Sequence, residues 1–172
     1  VPTSVAVVTA TDAHGPVGMT VGSFTSISLD PPLVGFFADC GSSTLARVQA
    51  GGSFCVNVLT DSQHHLCGVF AARVEDRFEG IDIVPAHALS DEFAAPHRAA
   101  PHLAEAMAWV DCHIESVTEI GDHALVVGRV SGLEVAPGNR RPLVFFRGSL
   151  CHLDRRTLPS KGNWQLDHYA EW

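Results

Sequence analysis

The chain has 172 residues, 46% of them hydrophobic, and a formal net charge of −8 at pH 7. This length favours one domain with a sizeable core, and the acidic balance argues against a general nucleic-acid or membrane-binding surface. No apolar run approaches the roughly 20 residues of a membrane-spanning helix, so we expect a soluble protein.

The cysteine pattern indicates the cellular compartment. The cysteines are five in number and widely spaced: Cys40, Cys55, Cys67, Cys112 and Cys151. Free thiols in a reducing cytoplasm fit this pattern better than a disulfide framework or a zinc site. The chain starts without Met or the basic segment of a signal peptide, so we expect that a natural N-terminal segment is missing.

Short β-branched runs separated by tight turns dominate the sequence. Residues 4–11 and a second strand from Val17 are predicted to form an antiparallel hairpin. Further strands are predicted at 33–38, 53–59, 108–117, 124–135 and 142–147, and short helices at 42–50 and about 61–72. The short connections leave no room for crossover helices. We therefore predict a mainly β (α+β), closed or partly open antiparallel barrel with helices at its rim, rather than a doubly wound parallel sheet.

Two segments lack a strong period. Residues 73–101 carry charges and three prolines, which is typical of a lid or of an arm that packs in an oligomer. Residues 156–172 form a polar tail with spaced aromatic residues. We expect this tail to dock on the domain formed by residues 1–155 or on a partner subunit.

The stretch from Gly18 to Pro32 is unusual because hydroxyl side chains alternate with single apolar residues. Five hydroxyl groups lie between Thr20 and Asp30. One interpretation is a half-buried strand with hydroxyl-stabilised turns. The other is a cradle of hydroxyl and backbone groups for a phosphate or a heteroaromatic ring. In either case we expect Phe24, Ile27 and Leu29 to be core residues.

Three further places could carry a ligand. His123 lies in a turn between two long strands, where it either bonds locally or contacts a ligand. Arg147 ends an apolar strand and meets either a carboxylate or an anion. The run 42–44 offers a helix cap or an anion site. The adjacent pair His64-His65 points in two directions on a helix, so no metal site is expected there.

The order of these motifs resembles the flavin reductase-like family, which has the FMN-binding split-barrel fold. Its members are the short-chain reductase components of two-component flavin-dependent monooxygenases. The matching motifs are Pro2 to Thr9, Gly18 to Leu33, Ser42-Ser43-Thr44, Phe54 to Leu59, Phe70-Ala71, Asp76-Arg77-Phe78, Gly121-Asp122-His123, Gly128-Arg129-Val130 and Pro142-Leu143-Val144. The resemblance implies an antiparallel Greek-key split β-barrel, usually a homodimer, that binds FMN or FAD and reduces it with NADH or NADPH.

The resemblance also implies roles for individual residues. Flavin or nicotinamide contacts are expected at Thr20, Val21, Gly22 and Ser23 beside the flavin, at Phe37, Asp39, Cys40, Ser42, Ser43 and Thr44 around the ribityl phosphate, and at Asn57, Arg73 and Arg77. His123, the candidate catalytic residue, and the corner Phe146-Arg147-Gly148 are expected to meet the nicotinamide nucleotide. Gly22 departs from the family's usual asparagine, and Leu150 stands where an aromatic residue is common.

The function implied is an NAD(P)H:flavin oxidoreductase in the cytoplasm that hands reduced flavin to a partner monooxygenase. A second hypothesis is a flavin-binding electron-transfer or sensor module without reductase activity. A barrel that has lost its ligand and, by fold analogy, a pyridoxamine-phosphate oxidase-like enzyme are weaker alternatives.

Overall fold

The fold is that of a computed structural model, which describes residues 1–72, 74, 76–84 and 100–153. In chain order the elements are β1 (Thr3–Ser4), β2 (Ala6–Asp12), β3 (Gly15–Val21), β4 (Thr25–Leu29), β5 (Pro32–Asp39), α1 (Ser43–Gly51), β6 (Ser53–Val58), a 3₁₀ turn (Asp61–Gln63), α2 (His64–Ala71), β7 (Ile83–Val84), β8 (His102–Leu103), β9 (Ala108–Ile120), β10 (His123–Val135), β11 (Leu143–Phe146) and β12 (Ser149–His152).

One antiparallel sheet of seven strands dominates the molecule, in the order β3-β2-β6-β9-β10-β5-β4. The Ser23 hydroxyl, just beyond β3, accepts a hydrogen bond of 2.9 Å from the Phe37 N–H in β5. The sheet therefore curls until its first strand, β3, meets β5, which is the neighbour of its last strand, β4. This confirms the predicted mainly β, antiparallel fold with two short helices.

The hydroxyl-rich stretch contains a strand that the sequence pattern did not separate. Its first part continues β3, and its second part is β4, which pairs with β5 through a register shift between Ser26 and Ser28. The shift breaks the alternation of inward and outward side chains. Phe24 packs against the core as predicted, but the prediction for Ile27 and Leu29 is wrong, since these side chains are 44% and 51% exposed.

A second, small sheet in the order β1-β11-β12 lies apart from the main one. The chain reverses between β11 and β12 at Arg147 and Gly148, whose φ angles are 51° and 79°. Two successive left-handed residues match a two-residue hairpin turn. The predicted strand at 142–147 is thus one arm of a hairpin, and its corner is at 147–148.

Both faces of β2 are buried, which explains its continuous apolar run. Ala6 and Val8 face the barrel interior and belong to the cluster that contains Phe36. On the other face Val7 packs in the cluster that contains Phe70 of α2. Helix α2 therefore covers the outside of the sheet near β3 and fixes the position of the chain that follows it.

A polar cluster that the sequence did not predict is buried on the other face of the sheet from Phe36. Cys55 and Asp111 lie opposite each other on β6 and β9, and the His102 Nε2 is 2.8 Å from the Asp111 carboxylate. The candidate ligand atoms of these three buried residues lie within 4.8 Å of one another. Burial raises the pKa of the Cys55 thiol. That the chain carries no metal stays a prediction.

Within the described ranges, none of the helices combines the length and the apolar character needed to cross a membrane. The predicted tail at 156–172 and most of the irregular segment 73–101 lie outside the described residues.

Candidate functional site

A cavity of about 1100 Å³ lies between β3, the end of β5, the start of α1 and the chain after α2. It gathers most of the residues expected to contact a cofactor. Those that line it are Thr20, Val21, Gly22, Ser23, Phe37, Asp39, Ser42, Ser43, Thr44, Arg77 and His123. Of the hydroxyl-rich stretch, only the first part, up to Ser23, lines the cavity, so the cradle interpretation applies to that part.

The wall built from β3 offers backbone groups more than hydroxyls. The Thr20 hydroxyl donates to the Cys67 carbonyl of α2 at 2.8 Å, and the Ser23 hydroxyl is bonded to the backbone of Phe37. Both side chains thus hold the wall in place. Strand β3 is the first strand of its sheet and pairs with β2 alone, so one edge of its N–H and C=O groups faces away from the sheet. These groups can bond the polar edge of a ligand ring.

The N-terminus of α1 forms the opposite wall. Ser42 caps the helix, its hydroxyl accepting from the Leu45 N–H at 3.3 Å, while the Asp39 carboxylate accepts from the Gly41 N–H at 2.7 Å. Ser42 is therefore a helix cap, which was one of the two interpretations of the run 42–44. The positive end of the helix dipole still points toward the cavity, which favours a negative group there.

Arg77 is the cationic centre of the cavity. Its Nη1 donates to the Gly18 carbonyl at 2.6 Å and to the Thr44 hydroxyl at 2.8 Å, and its Nε donates to the Ala72 carbonyl at 2.9 Å. Burial lowers the pKa of this guanidinium. Among the described residues no carboxylate forms an ion pair with it. A partly desolvated cation that no described carboxylate neutralises, lying beside a helix N-terminus, is a site for an anion.

His123 stands at the other end of the cavity, as the first residue of β10 and opposite Asp39 of β5. Its Nδ1 is 2.7 Å from the Asp122 carboxylate. This hydrogen bond raises the pKa of His123 and lowers the pKa of Asp122. Because Nδ1 is engaged, Nε2 is the ring nitrogen that can meet a ligand.

Several expected contacts do not reach the cavity. Asn57 is fully buried in β6, where its amide donates to the Val7 carbonyl and accepts from the Leu103 N–H. The expectation of a flavin contact at Asn57 is therefore wrong: every described bond of this side chain is to the core. Cys40 is exposed but absent from the lining, and partial desolvation of its thiol together with nearby carboxylates raises its pKa.

The corner Phe146-Arg147-Gly148 is also away from the cavity, on the second sheet, with the Arg147 guanidinium 5.4 Å from the centre of the Phe146 ring. In the described chain, this corner and His123 do not line one cavity, and the expectation that both meet the nicotinamide nucleotide stays a prediction. Arg73 lies outside the described residues.

The cavity includes residues that were not among the expected cofactor contacts. Arg47, Pro16 and Asp76 line it together with the ring of Phe70. Arg47 was detectable in principle, because it lies three positions after Thr44 on α1, and side chains at this spacing share one face of a helix.

These features define a class of protein: an antiparallel barrel that binds an anionic ligand with a flat, polar ring. The guanidinium and the helix N-terminus suit a phosphate, and the β3 edge with Phe37 suits a ring. The chain belongs to the family described as flavin reductase like domain, whose sequence profile matches residues 1–154. The resemblance inferred from the sequence is confirmed.

Individual relatives agree with this assignment. A flavin reductase from Pseudomonas putida is 43% identical over 148 residues, which cover 86% of this chain and 81% of that protein. The reductase subunit HsaB of a flavin-dependent monooxygenase from Rhodococcus jostii (strain RHA1) is 36% identical over 166 residues, 96% of this chain and 78% of that protein.

Solved structures agree as well. A nitrilotriacetate monooxygenase component B homolog from Mycobacterium thermoresistibile superposes with a TM-score of 0.85 at 34% identity, covering 99% of this chain and 89% of the other. The NADH:FAD oxidoreductase SgcE6 from Streptomyces globisporus, in complex with NAD and FAD fragments, gives a TM-score of 0.78 at 33% identity, with coverage of 91% and 88%.

Proposed function

We propose that the protein is an NAD(P)H-dependent flavin reductase that reduces FMN or FAD by hydride transfer and supplies the reduced flavin to a partner monooxygenase. The observation that carries this proposal is the Arg77 guanidinium, held between the Gly18 carbonyl and the Thr44 hydroxyl. It forms no ion pair within the described residues, so a flavin phosphate is its natural counterion. Membership of an oxidoreductase family and the names of the relatives support the redox activity.

When bound, the flavin and the nicotinamide nucleotide supply the hydride chemistry themselves. The chain's residues bind and orient. Arg77 and the first turn of α1 hold the phosphate, and the free edge of β3 around Val21 and Gly22 hydrogen-bonds the polar edge of the ring. Backbone donors placed there also stabilise negative charge on that edge without any proton transfer. This explains why the chain needs no tuned acid and base pair.

His123 is proposed to meet the nicotinamide nucleotide. The Asp122 carboxylate fixes its Nδ1 and raises its pKa, which keeps a larger fraction of the imidazole protonated near neutral pH. A protonated imidazole whose Nε2 faces the cavity can donate to a phosphate or to a carboxamide oxygen. We assign it a binding and orienting role in the hydride-transfer complex.

We also propose a homodimer in the cytoplasm. Exposed apolar residues lie on β4, β11 and β12: Ile27, Leu29, Phe145, Phe146 and Leu150. The 146–148 corner does not line the cavity of its own chain. In a homodimer it can line the cavity of the second subunit. The five cysteines form no disulfide bond, which suits a reducing compartment. Size-exclusion chromatography with light scattering tests the dimer, and a concentration-independent monomer would contradict it.

The test of the function is NADH or NADPH oxidation by the purified protein with FMN, with FAD and without added flavin. We expect turnover that depends on flavin with at least one nicotinamide nucleotide. Tight flavin binding without reduction by either nucleotide would support the electron-transfer or sensor hypothesis instead. Adding a flavin-dependent monooxygenase as acceptor then tests delivery of the reduced flavin.

A further inference from the structure

A second arginine lies in the same cavity, one helical turn beyond Thr44. Arg47 of α1 forms a bidentate pair with Asp12, the last residue of β2: its Nε and Nη2 each lie 2.8 Å from a carboxylate oxygen. Its Nη2 also donates to the Gly15 carbonyl at 3.1 Å. The Arg47 side chain is 31% exposed and lines the cavity beside Pro16.

The positions of Arg47 and Arg77 give the direction of the cavity. Arg77 bonds the Gly18 carbonyl and Arg47 bonds the Gly15 carbonyl, both on β3. Three residues of a strand span about 10 Å. Arg47 therefore extends the phosphate end of the cavity away from His123, along β3 and α1.

The two arginines differ in charge balance. Arg77 forms no ion pair in the described chain, whereas the charge of Arg47 is cancelled by Asp12. The bidentate hydrogen bonds of Arg47 hold the pKa of the Asp12 carboxyl far below its usual range, so the pair stays ionised and neutral overall. A neutral pair does not attract a second phosphate. Its planar, partly exposed guanidinium, held by the Asp12 carboxylate and the Gly15 carbonyl, instead offers a surface on which an aromatic ring can stack.

Resting on the proposed function, we propose that the Arg47–Asp12 pair is the platform for the adenine of FAD, and that the protein therefore prefers FAD to FMN. The adenine of FAD lies beyond the flavin phosphate by a second phosphate and a ribose. Pro16 and Arg47 also line the cavity, on the side of Arg77 that lies toward the start of β3. The phosphate at the end of FMN would lie at Arg77, so FMN would not reach Pro16 or Arg47.

The experiment measures the dissociation constants of FAD and FMN by flavin fluorescence, for the wild type and for Arg47→Lys. The lysine keeps the charge and can still pair with Asp12, but it has no plane for stacking. We expect the wild type to bind FAD about fivefold more tightly than FMN, which corresponds to about 1 kcal/mol. In Arg47→Lys the two constants should become equal within about twofold.

Two outcomes would overturn this inference alone: equal constants in the wild type, or a preference for FAD that survives in Arg47→Lys. The first outcome is measured on the wild type alone, so a folding defect in Arg47→Lys cannot hide it. Thermal melts of both proteins identify such a defect. If the wild type binds neither flavin, the proposed function fails together with the inference, and this result is distinct from binding both flavins equally.

Discussion

The cavity wall at Arg77 and the hairpin corner at Arg147 both carry an arginine expected to serve the same reaction, yet the two sites are built differently. Arg77 is held by three described hydrogen bonds to oxygen atoms and is partly desolvated. Arg147 stands at an exposed turn with positive φ, over the ring of its neighbour Phe146. The first site is preorganised within one chain. In the described part of the chain the second does not line the cavity, and a role for it in the reaction requires the proposed homodimer.

From this difference we propose that the two sites bind different ligands. A preorganised cation in a partly buried place suits the ligand that must bind first and stay oriented, which is the flavin. An exposed cation on a hairpin corner suits a ligand that binds and leaves at each turnover, the nicotinamide nucleotide. A variant at Arg77 should therefore change the affinity for flavin, and a variant at Arg147 should change the kinetics with the nicotinamide nucleotide.

The largest effect is expected at Arg77. Replacement of Arg77 by Ala should raise the dissociation constant of FMN by about 10- to 100-fold, because charge-assisted hydrogen bonds to phosphate are lost. Flavin fluorescence titration measures this change. Arg147→Ala is the matched control and should change the same constant by less than about twofold. Equal losses in both variants would erase the distinction between the two sites.

His123 is the next test. His123→Ala should lower kcat/KM for NADH by about tenfold through the loss of one charge-assisted bond, while the flavin dissociation constant stays within about twofold. Steady-state NADH oxidation at saturating flavin gives the first quantity. A variant with weakened flavin binding and unchanged NADH kinetics would place His123 on the flavin instead.

Asp122 connects this role to pH. Its hydrogen bond raises the pKa of His123, so the protonated form persists to higher pH than in an ordinary histidine. We expect kcat/KM for NADH to fall as pH rises through this raised pKa. In Asp122→Asn the hydrogen bond to a carboxylate is lost, and the fall should move to lower pH. Identical pH profiles for the two proteins would contradict the imidazolium role.

The smallest effect is expected at the helix cap. Ser42→Ala removes the bond to the Leu45 N–H and should destabilise the protein by about 1 kcal/mol. Since this hydroxyl supports the α1 wall of the cavity, the flavin dissociation constant should rise only by about two- to fivefold. Thermal unfolding and titration on the same sample compare the two effects. A loss of affinity as large as that of Arg77→Ala would make Ser42 a direct ligand.

Much of the fold follows from local patterns, because β-branched runs and turn residues specify strands directly. The failures have a physical cause in each case. Ile27 and Leu29 alternate as core residues would, but β4 is the last strand of its sheet and both side chains stay largely exposed. Asn57 occupies a strand both of whose faces are buried, and a strand's sequence does not reveal what covers its second face.

The site was predictable where its residues lie close together in sequence, as in 20–23 and 42–44. Arg77 was found through the family resemblance, since nothing local shows that it reaches back to Gly18. Arg47 was missed because its partner Asp12 lies 35 residues away, so its position on the cavity depends on the tertiary fold. The 146–148 corner was predicted as part of the site from the family resemblance, which carries no information on the distance between this corner and the cavity.

The central claim is that Arg77 binds the flavin phosphate, and riboflavin, which lacks this phosphate, tests it directly. The measurement is the ratio of the riboflavin and FMN dissociation constants, in the wild type and in Arg77→Ala. We predict that the wild type prefers FMN by about 10- to 100-fold and that this preference falls to within about threefold in the variant. Equal affinity for both ligands in the wild type, or an undiminished preference in Arg77→Ala, would contradict the account.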